Sequence, residues 1–217
     1  MREINLLDSY PRSKRPIAEN RSATPENREI ARKFGREYFD GDRTQGYGGY
    51  RYDGRWVAVV TRIRDFYGLT AGARVLDVGC AKGFMLHDLL SVVPGIEVYG
   101  LDLSHYAIDN AIDDIRSRLV MGSADALPYP DHSFDLVVSI NTIHNLSNER
   151  CLRAIREIER VSRRHKYIQI DSWLNNDQRD NLKKWVLTAV TYSDPEGWRT
   201  MFRQAAYTGE YYWTLTE

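Results

Sequence analysis

The chain has 217 residues, 30 Lys+Arg against 30 Asp+Glu, 42% hydrophobic residues and 14 tyrosines, which fits one domain with a real core and excludes global disorder. A formal net charge of zero argues against a nucleic-acid partner, and two cysteines, Cys80 and Cys151, exclude a disulfide-built scaffold and fit a reducing compartment. No stretch approaches the roughly 18 apolar residues of a membrane span and the N-terminus lacks the apolar run of a secretory signal, so a cytoplasmic protein with no membrane partner is expected.

Residues 1–23 are polar and turn-rich and read as a mobile arm or a segment that orders on binding. Thr24-Pro25-Glu26 is a helix start, and Ile30, Phe34 and Tyr38 continue one apolar face to about Gly41. Residues 41–54 crowd glycines and tyrosines into a loop, and a second helix spans about 55–67 with Trp56, Val59, Val60, Ile63 and Phe66 turned inward. From residue 73 strand and helix alternate. Strands are expected at 74–78, 97–101, 119–121, 134–140 and 167–171, with helices at about 83–93, 104–117 and 147–162. That alternation implies a largely parallel sheet. The tail carries a helix after Asn175, a β-like run at 186–192, a helix opened by Asp194-Pro195-Glu196, and a last strand at 211–215. Residues 1–54 read as an N-terminal arm, helix and Tyr/Gly-rich lid, and residues 55–217 as the α/β domain proper.

The strongest motif is Val75-Leu76-Asp77-Val78-Gly79-Cys80-Ala81-Lys82-Gly83, a buried strand running through a glycine turn into a helix. Small residues let the backbone pass close to a ligand, and the helix start adds donors. The spacing G-x-A-x-G differs from the G-x-G-x-x-G of dinucleotide folds, and no Walker loop is present. Asp102 stands where the next strand ends, where a carboxylate can take a ribose diol. Asp125, in Ser123-Ala124-Asp125-Ala126, sits on a loop suited to the adenine edge. The strand 134–140 ends in Asn141 at the expected cleft.

These stretches, VLDVGCAKG, YGLDLS, SADALPYPDHSFDLVVS and INTIHNL, resemble the class I S-adenosylmethionine-dependent methyltransferases over roughly residues 55–217. The resemblance implies a Rossmann-like, doubly wound, mostly parallel seven-stranded sheet with an antiparallel strand near the C-terminus, and S-adenosyl-L-methionine as cofactor. It places Gly79, Ala81 and Gly83 under the methionine part, Asp77 at the amino group, and Asp102 with Leu103 at the ribose. Asp125 would take the adenine amine, with Ala124 and Ala126 lining the ring and Asn141 at the cleft. Ala81 departs from the glycine most common in the family.

Methyl transfer needs alignment and exclusion of water, and a base only where the acceptor must lose a proton. His144 is the base candidate because an imidazole titrates near neutrality, and Asp171 is the second. Tyr47, Tyr50 and Tyr52 suit a lid over the acceptor, with Arg55 and Trp173 as further acceptor contacts. No His/Asp spacing calls for a metal. The expected activity is methylation of an oxygen or nitrogen on a small metabolite. Alternatives are a nicotinamide-dependent oxidoreductase and a catalytically silent subunit that keeps the cofactor fold. Domains of this type also form homodimers.

Overall fold

A computed structural model describes residues 1–11 and 23–215. The basic cluster around residues 12–15 and Pro16, read above as part of a mobile arm, lies outside the described residues. The strands are β1 (Arg2–Glu3), β2 (Arg74–Val78), β3 (Glu97–Asp102), β4 (Leu119–Met121), β5 (Phe134–Ile140), β6 (Ser162–Ser172) and β7 (Glu210–Leu215). They form one sheet in the order β1-β7-β6-β5-β2-β3-β4. The helices are α1 (Pro25–Ala31), α2 (Arg36–Asp40), α3 (Val57–Tyr67), α4 (Phe84–Val92), α5 (His105–Asp109), α6 (Asp113–Arg116), α7 (Asn148–Val161), α8 (Asn176–Trp185) and α9 (Pro195–Gln204).

The central strands are apolar on both faces, which requires helices on both. Leu76 and Val78 of β2, Val137 of β5 and Ile168 and Ile170 of β6 pack with Cys151, Ala154, Ile155 and Ile158 of α7 and with Trp198 and Phe202 of α9. Val75 of β2, Leu136 and Val138 of β5 and Val98 of β3 face the other way. They meet Val59, Val60 and Ile63 of α3 and Met85, Leu86 and Leu89 of α4. The alternation Leu136, Val137, Val138 between the two clusters is the period-2 signature of a strand buried on both sides. The sheet is doubly wound, and the C-terminal ends of β2, β3 and β5 meet at its switch between β2 and β5.

Several expectations change. All strand pairings among the described residues are parallel, so the antiparallel strand near the C-terminus is absent there. From β6 the chain leaves through α8 and returns along α7 as α9, so β7 enters from the same end as β6, pairing Tyr167 with Glu210 and Ser172 with Leu215. The run 186–192 is not a strand. Its Val190 and Thr191 amides both donate to the His144 carbonyl at 2.9 Å, so this segment straps the end of β5 instead of joining the sheet. The helix expected from Thr24 to Gly41 breaks into α1 and α2, because Phe34 takes a left-handed φ of 48° and Gly35 caps the next turn. The expected helix 104–117 divides similarly into α5 and α6.

The first residues are packed rather than extended as an arm. β1 pairs in parallel with β7, and Leu6 is fully buried. The Tyr167 hydroxyl donates to the Ile4 carbonyl at 3.2 Å and accepts from the Leu6 amide at 3.3 Å, fastening the segment to β6.

Candidate cofactor and acceptor site

β2 ends in a turn that only small residues permit. Gly79 has a φ of 90° and Gly83 a φ of 75°. A Cβ on Gly79 would stand 2.0 Å from Thr142 Oγ1, and one on Gly83 would stand 1.9 Å from Ile115 Cδ1. The Gly79 and Cys80 amides both donate to the Leu101 carbonyl, at 2.7 and 3.2 Å, pinning the turn against β3. Ala81 carries a φ of 50°, so the departure from glycine puts a methyl-bearing residue in the left-handed region.

Asp102 closes β3 and faces this turn. Its Oδ2 accepts from the Ala81 amide at 2.7 Å and its Oδ1 from the Ser104 amide at 2.8 Å. Both bonds orient the carboxylate and leave it acceptor capacity for a diol. Burial raises its pKa above the ordinary value, and the three backbone amides of Ser104, Ala81 and Leu103 work against that. Asp77, buried on β2, is pushed up to about 8 by burial first and by the charge of Asp102 second. A cationic group beside it would restore the carboxylate.

The turn and the ends of β3 and β5 floor a cleft of about 730 Å³, part of it open to solvent. Gly79, Ala81, Asp102, Leu103, Ser123, Ala124, Asn141, Thr142 and Asn145 form its lower walls. Its roof is aromatic: Phe34, Tyr38 and Phe39 from the α1–α2 region and Tyr47 from the following loop. The rings support one another, with Tyr47 centred 5.2 Å from Tyr38 and 4.5 Å from Tyr50. Tyr50 in turn stacks on Phe84, the first residue of α4, at 4.7 Å and 15°.

Residues 76–170 match the family model of a methyltransferase domain. That match, a little under half of the chain, and the relatives that follow support the class I S-adenosylmethionine-dependent methyltransferase family. The chain is 33% identical over 109 residues to the 27-O-demethylrifamycin SV methyltransferase of Amycolatopsis mediterranei, covering 47% of this chain and 39% of that protein. It is 28% identical over 162 residues to the uncharacterized methyltransferase YcgJ of Bacillus subtilis, covering 65% of this chain and 60% of YcgJ. The chain thus spans less than two thirds of the length of either relative. The crystal structure of YcgJ superposes with a TM-score of 0.52 at 23% identity, over 67% of this chain and 66% of that one, a likeness of fold.

In this chain the expected cofactor residues fall into two groups. Gly79, Ala81, Asp102, Leu103, Ala124 and Asn141 line the cleft together, while Asp77 and Gly83 stand just behind it in β2 and at the start of α4. Asp125 is turned away from the cleft. Its carboxylate takes Arg150 Nε at 2.8 Å and an Arg153 nitrogen at 3.2 Å, both from α7, and these arginines hold its pKa far below the ordinary range. Ala126 is exposed, so Ser123 and Ala124 form that wall instead.

The expected base does not face the cleft. His144 is buried behind the wall formed by Asn141, Thr142 and Asn145, with Nδ1 3.6 Å from Asp171 Oδ2. Burial lowers its pKa, against the opposing pull of Asp171. Asp171, 8% exposed, also lies outside the cleft lining.

Of the acceptor candidates, only Tyr47 lines the cleft. Tyr50 supports the roof from behind. Tyr52 donates to Asp88 Oδ1 at 2.6 Å, Arg55 Nε is paired with Asp53 at 2.8 Å, and Trp173 packs with Leu182, Val186 and Ala189. Sequence reasoning missed Phe34, Tyr38 and Phe39 as roof residues, although the apolar face of the 24–41 pattern named two of them.

Proposed function

We propose that this protein transfers a methyl group from S-adenosyl-L-methionine to an oxygen or nitrogen of a small metabolite. The observation that carries the reading is Asp102, fixed at the end of β3 by two backbone amides and facing a cleft floored by the glycine turn. The residues present suit that cofactor. Asp102 offers acceptors to a ribose diol, Ala124 offers an apolar wall to a base, and Asp77 offers a buried carboxyl to an ammonium. The cofactor supplies a methyl group on a sulfonium whose leaving group is a neutral thioether.

The chain's own contribution is alignment and the exclusion of water. Phe34, Tyr38, Phe39 and Tyr47 cover the cleft with apolar rings that shed water, and the faces of such rings attract a positive charge. Asn141, Thr142 and Asn145, at the end of β5, supply the polar groups that orient an acceptor. Among the described lining residues Asp102 is the sole ionisable acid or base apart from tyrosine, and it serves the ribose. Neither His144 nor Asp171 lines the cleft, so neither is placed to take a proton from an acceptor there. A covered cleft and zero net charge both favour a small acceptor over a macromolecule.

The test is incubation with S-adenosylmethionine labelled in its methyl group and a cell extract separated into small-molecule, protein and nucleic-acid fractions. Label is expected in the small-molecule fraction. Label confined to protein or nucleic acid would overturn the acceptor class, and no transfer to any fraction would favour the silent subunit.

A further inference from the structure

The roof and the floor of the cleft are joined by one mostly buried ion pair that neither the glycine motif nor the tyrosine loop made visible. Lys82 belongs to the glycine turn, next to Ala81, whose amide holds Asp102. Its side chain points up into the cover, where Nζ lies 2.6 Å from Asp40 Oδ2 and donates to the Tyr50 carbonyl at 3.0 Å. Lys82 is 7% exposed. Asp40 ends α2, directly after the roof residue Phe39. Its Oδ2 also accepts from the Tyr106 hydroxyl at 2.7 Å, and its Oδ1 accepts from the Tyr50 amide at 3.0 Å. The ammonium stands 5.7 Å from the centre of the Tyr106 ring.

Three separate parts of the chain meet at this point: the end of α2, the tyrosine loop, and α5, which follows Asp102. The loop is otherwise tied to α2 through backbone bonds, from the Tyr47 amide to the Tyr38 carbonyl at 2.8 Å and from the Gly49 amide to the Phe39 carbonyl at 3.1 Å. Roof and loop are therefore joined as one hydrogen-bonded unit. Its connections to the floor include the Lys82–Asp40 pair, the Tyr106 hydroxyl on Asp40, the Tyr52 hydroxyl on Asp88 of α4, the Tyr50–Phe84 stack and the Ser104 hydroxyl on the Phe34 carbonyl. A mostly buried pair of this kind holds one geometry, since separating it leaves a charge without its partner.

We propose that Lys82 and Asp40 are positioning residues that hold the aromatic roof over the cofactor, so that cofactor binding and roof closure are thermodynamically coupled. The inference rests on the cofactor reading above. Neither side chain lines the cleft, so both act through the roof rather than by contact with the cofactor. Coupling is reciprocal: a roof held down raises cofactor affinity, and a bound cofactor lowers the opening of the roof.

The test uses S-adenosylhomocysteine as probe, with its affinity measured by calorimetry and hydrogen exchange followed in the 41–54 segment. In the wild type the probe is expected to slow exchange of the Tyr47, Gly49 and Tyr50 amides. Asp40→Asn and Lys82→Met are each expected to weaken binding about tenfold and to abolish that slowing. Because each single change strands a charge, the double variant Asp40→Asn/Lys82→Met is measured beside them. It is expected to recover the melting temperature while affinity stays low. Tyr106→Phe, which strands no charge, should weaken binding by a smaller factor. A folded double variant with wild-type affinity and wild-type protection would overturn the proposal, leaving the pair a role in stability alone. A wild type that fails to bind the probe would bring down the cofactor reading and this coupling with it.

Discussion

Asp77→Asn gives the most informative perturbation of the site. The carboxyl of Asp77 is buried on β2, and its pKa moves from an ordinary 3.8 to about 8 under burial and the charge of Asp102. A raised value means that the folded state holds the proton more tightly than the unfolded state. Stability is therefore full below about pH 4 and is lost as pH rises toward 8. A gap of about 4 pH units at about 1.4 kcal/mol each sets a ceiling of about 6 kcal/mol on the loss. Asparagine mimics the protonated form and does not titrate. Urea melts of the two proteins should nearly coincide at pH 4. The variant's advantage should then widen by up to about 1.4 kcal/mol per pH unit until about pH 8 and stay level above it. The same proton reports on ligand binding. An ammonium placed beside Asp77 favours the carboxylate, so S-adenosylhomocysteine binding at pH 7 should release a proton in the wild type. Calorimetry in buffers of different ionisation enthalpy reads that release, and Asp77→Asn should lack it. Parallel stability curves across pH would refute the assignment of a raised pKa, and equal proton release in both proteins would refute the placement of the ammonium.

Further changes test the scaffold of the site. Gly83→Ala puts a methyl 1.9 Å from Ile115 Cδ1 at a φ of 75°, and should cost about 2–4 kcal/mol in chemical denaturation; a cost under about 0.5 kcal/mol would mean that the turn is not built as described. Tyr167→Phe removes the hydroxyl that bonds Ile4, Leu6 and Gln169. It should cost about 1–2 kcal/mol and speed amide exchange in residues 4–6, whereas unchanged exchange would detach the N-terminal strand from β6. His144→Gln should leave S-adenosylhomocysteine affinity unchanged, because His144 lies outside the cleft wall; a tenfold loss would place the imidazole in the cleft.

Much of the fold was legible because its signals are local. The apolar runs of β2, β4 and β5 end in glycine or polar residues, and their observed bounds coincide with those expected. Asp102 was readable because a strand end and a glycine turn fix its place. What escaped was set by distant contacts. The run 186–192 has strand composition, yet two of its amides are taken by the His144 carbonyl, a partner about 46 residues away in the chain. Asp125 sits at the expected loop, but Arg150 and Arg153, spaced one helical turn apart on α7, claim its carboxylate. That i, i+3 pair of arginines was the available signal. Lys82 looked like a spacer between small residues because its partner Asp40 lies 42 positions earlier. His144 was expected to face the cleft as a titratable imidazole just after β5, whereas the single 3₁₀ turn at Ile143–Asn145 rotates it inward and presents Asn145 instead.

The central claim is that the cleft above the glycine turn binds S-adenosylmethionine through Asp102. Calorimetric titration of S-adenosylhomocysteine and, separately, of a nicotinamide dinucleotide into the wild type and Asp102→Ala tests it most directly. Saturable one-to-one binding of S-adenosylhomocysteine, no binding of the dinucleotide, and a loss of at least about tenfold in a folded Asp102→Ala variant are the results expected. Equal S-adenosylhomocysteine affinity in the two proteins, or binding of the dinucleotide alone, would contradict the account.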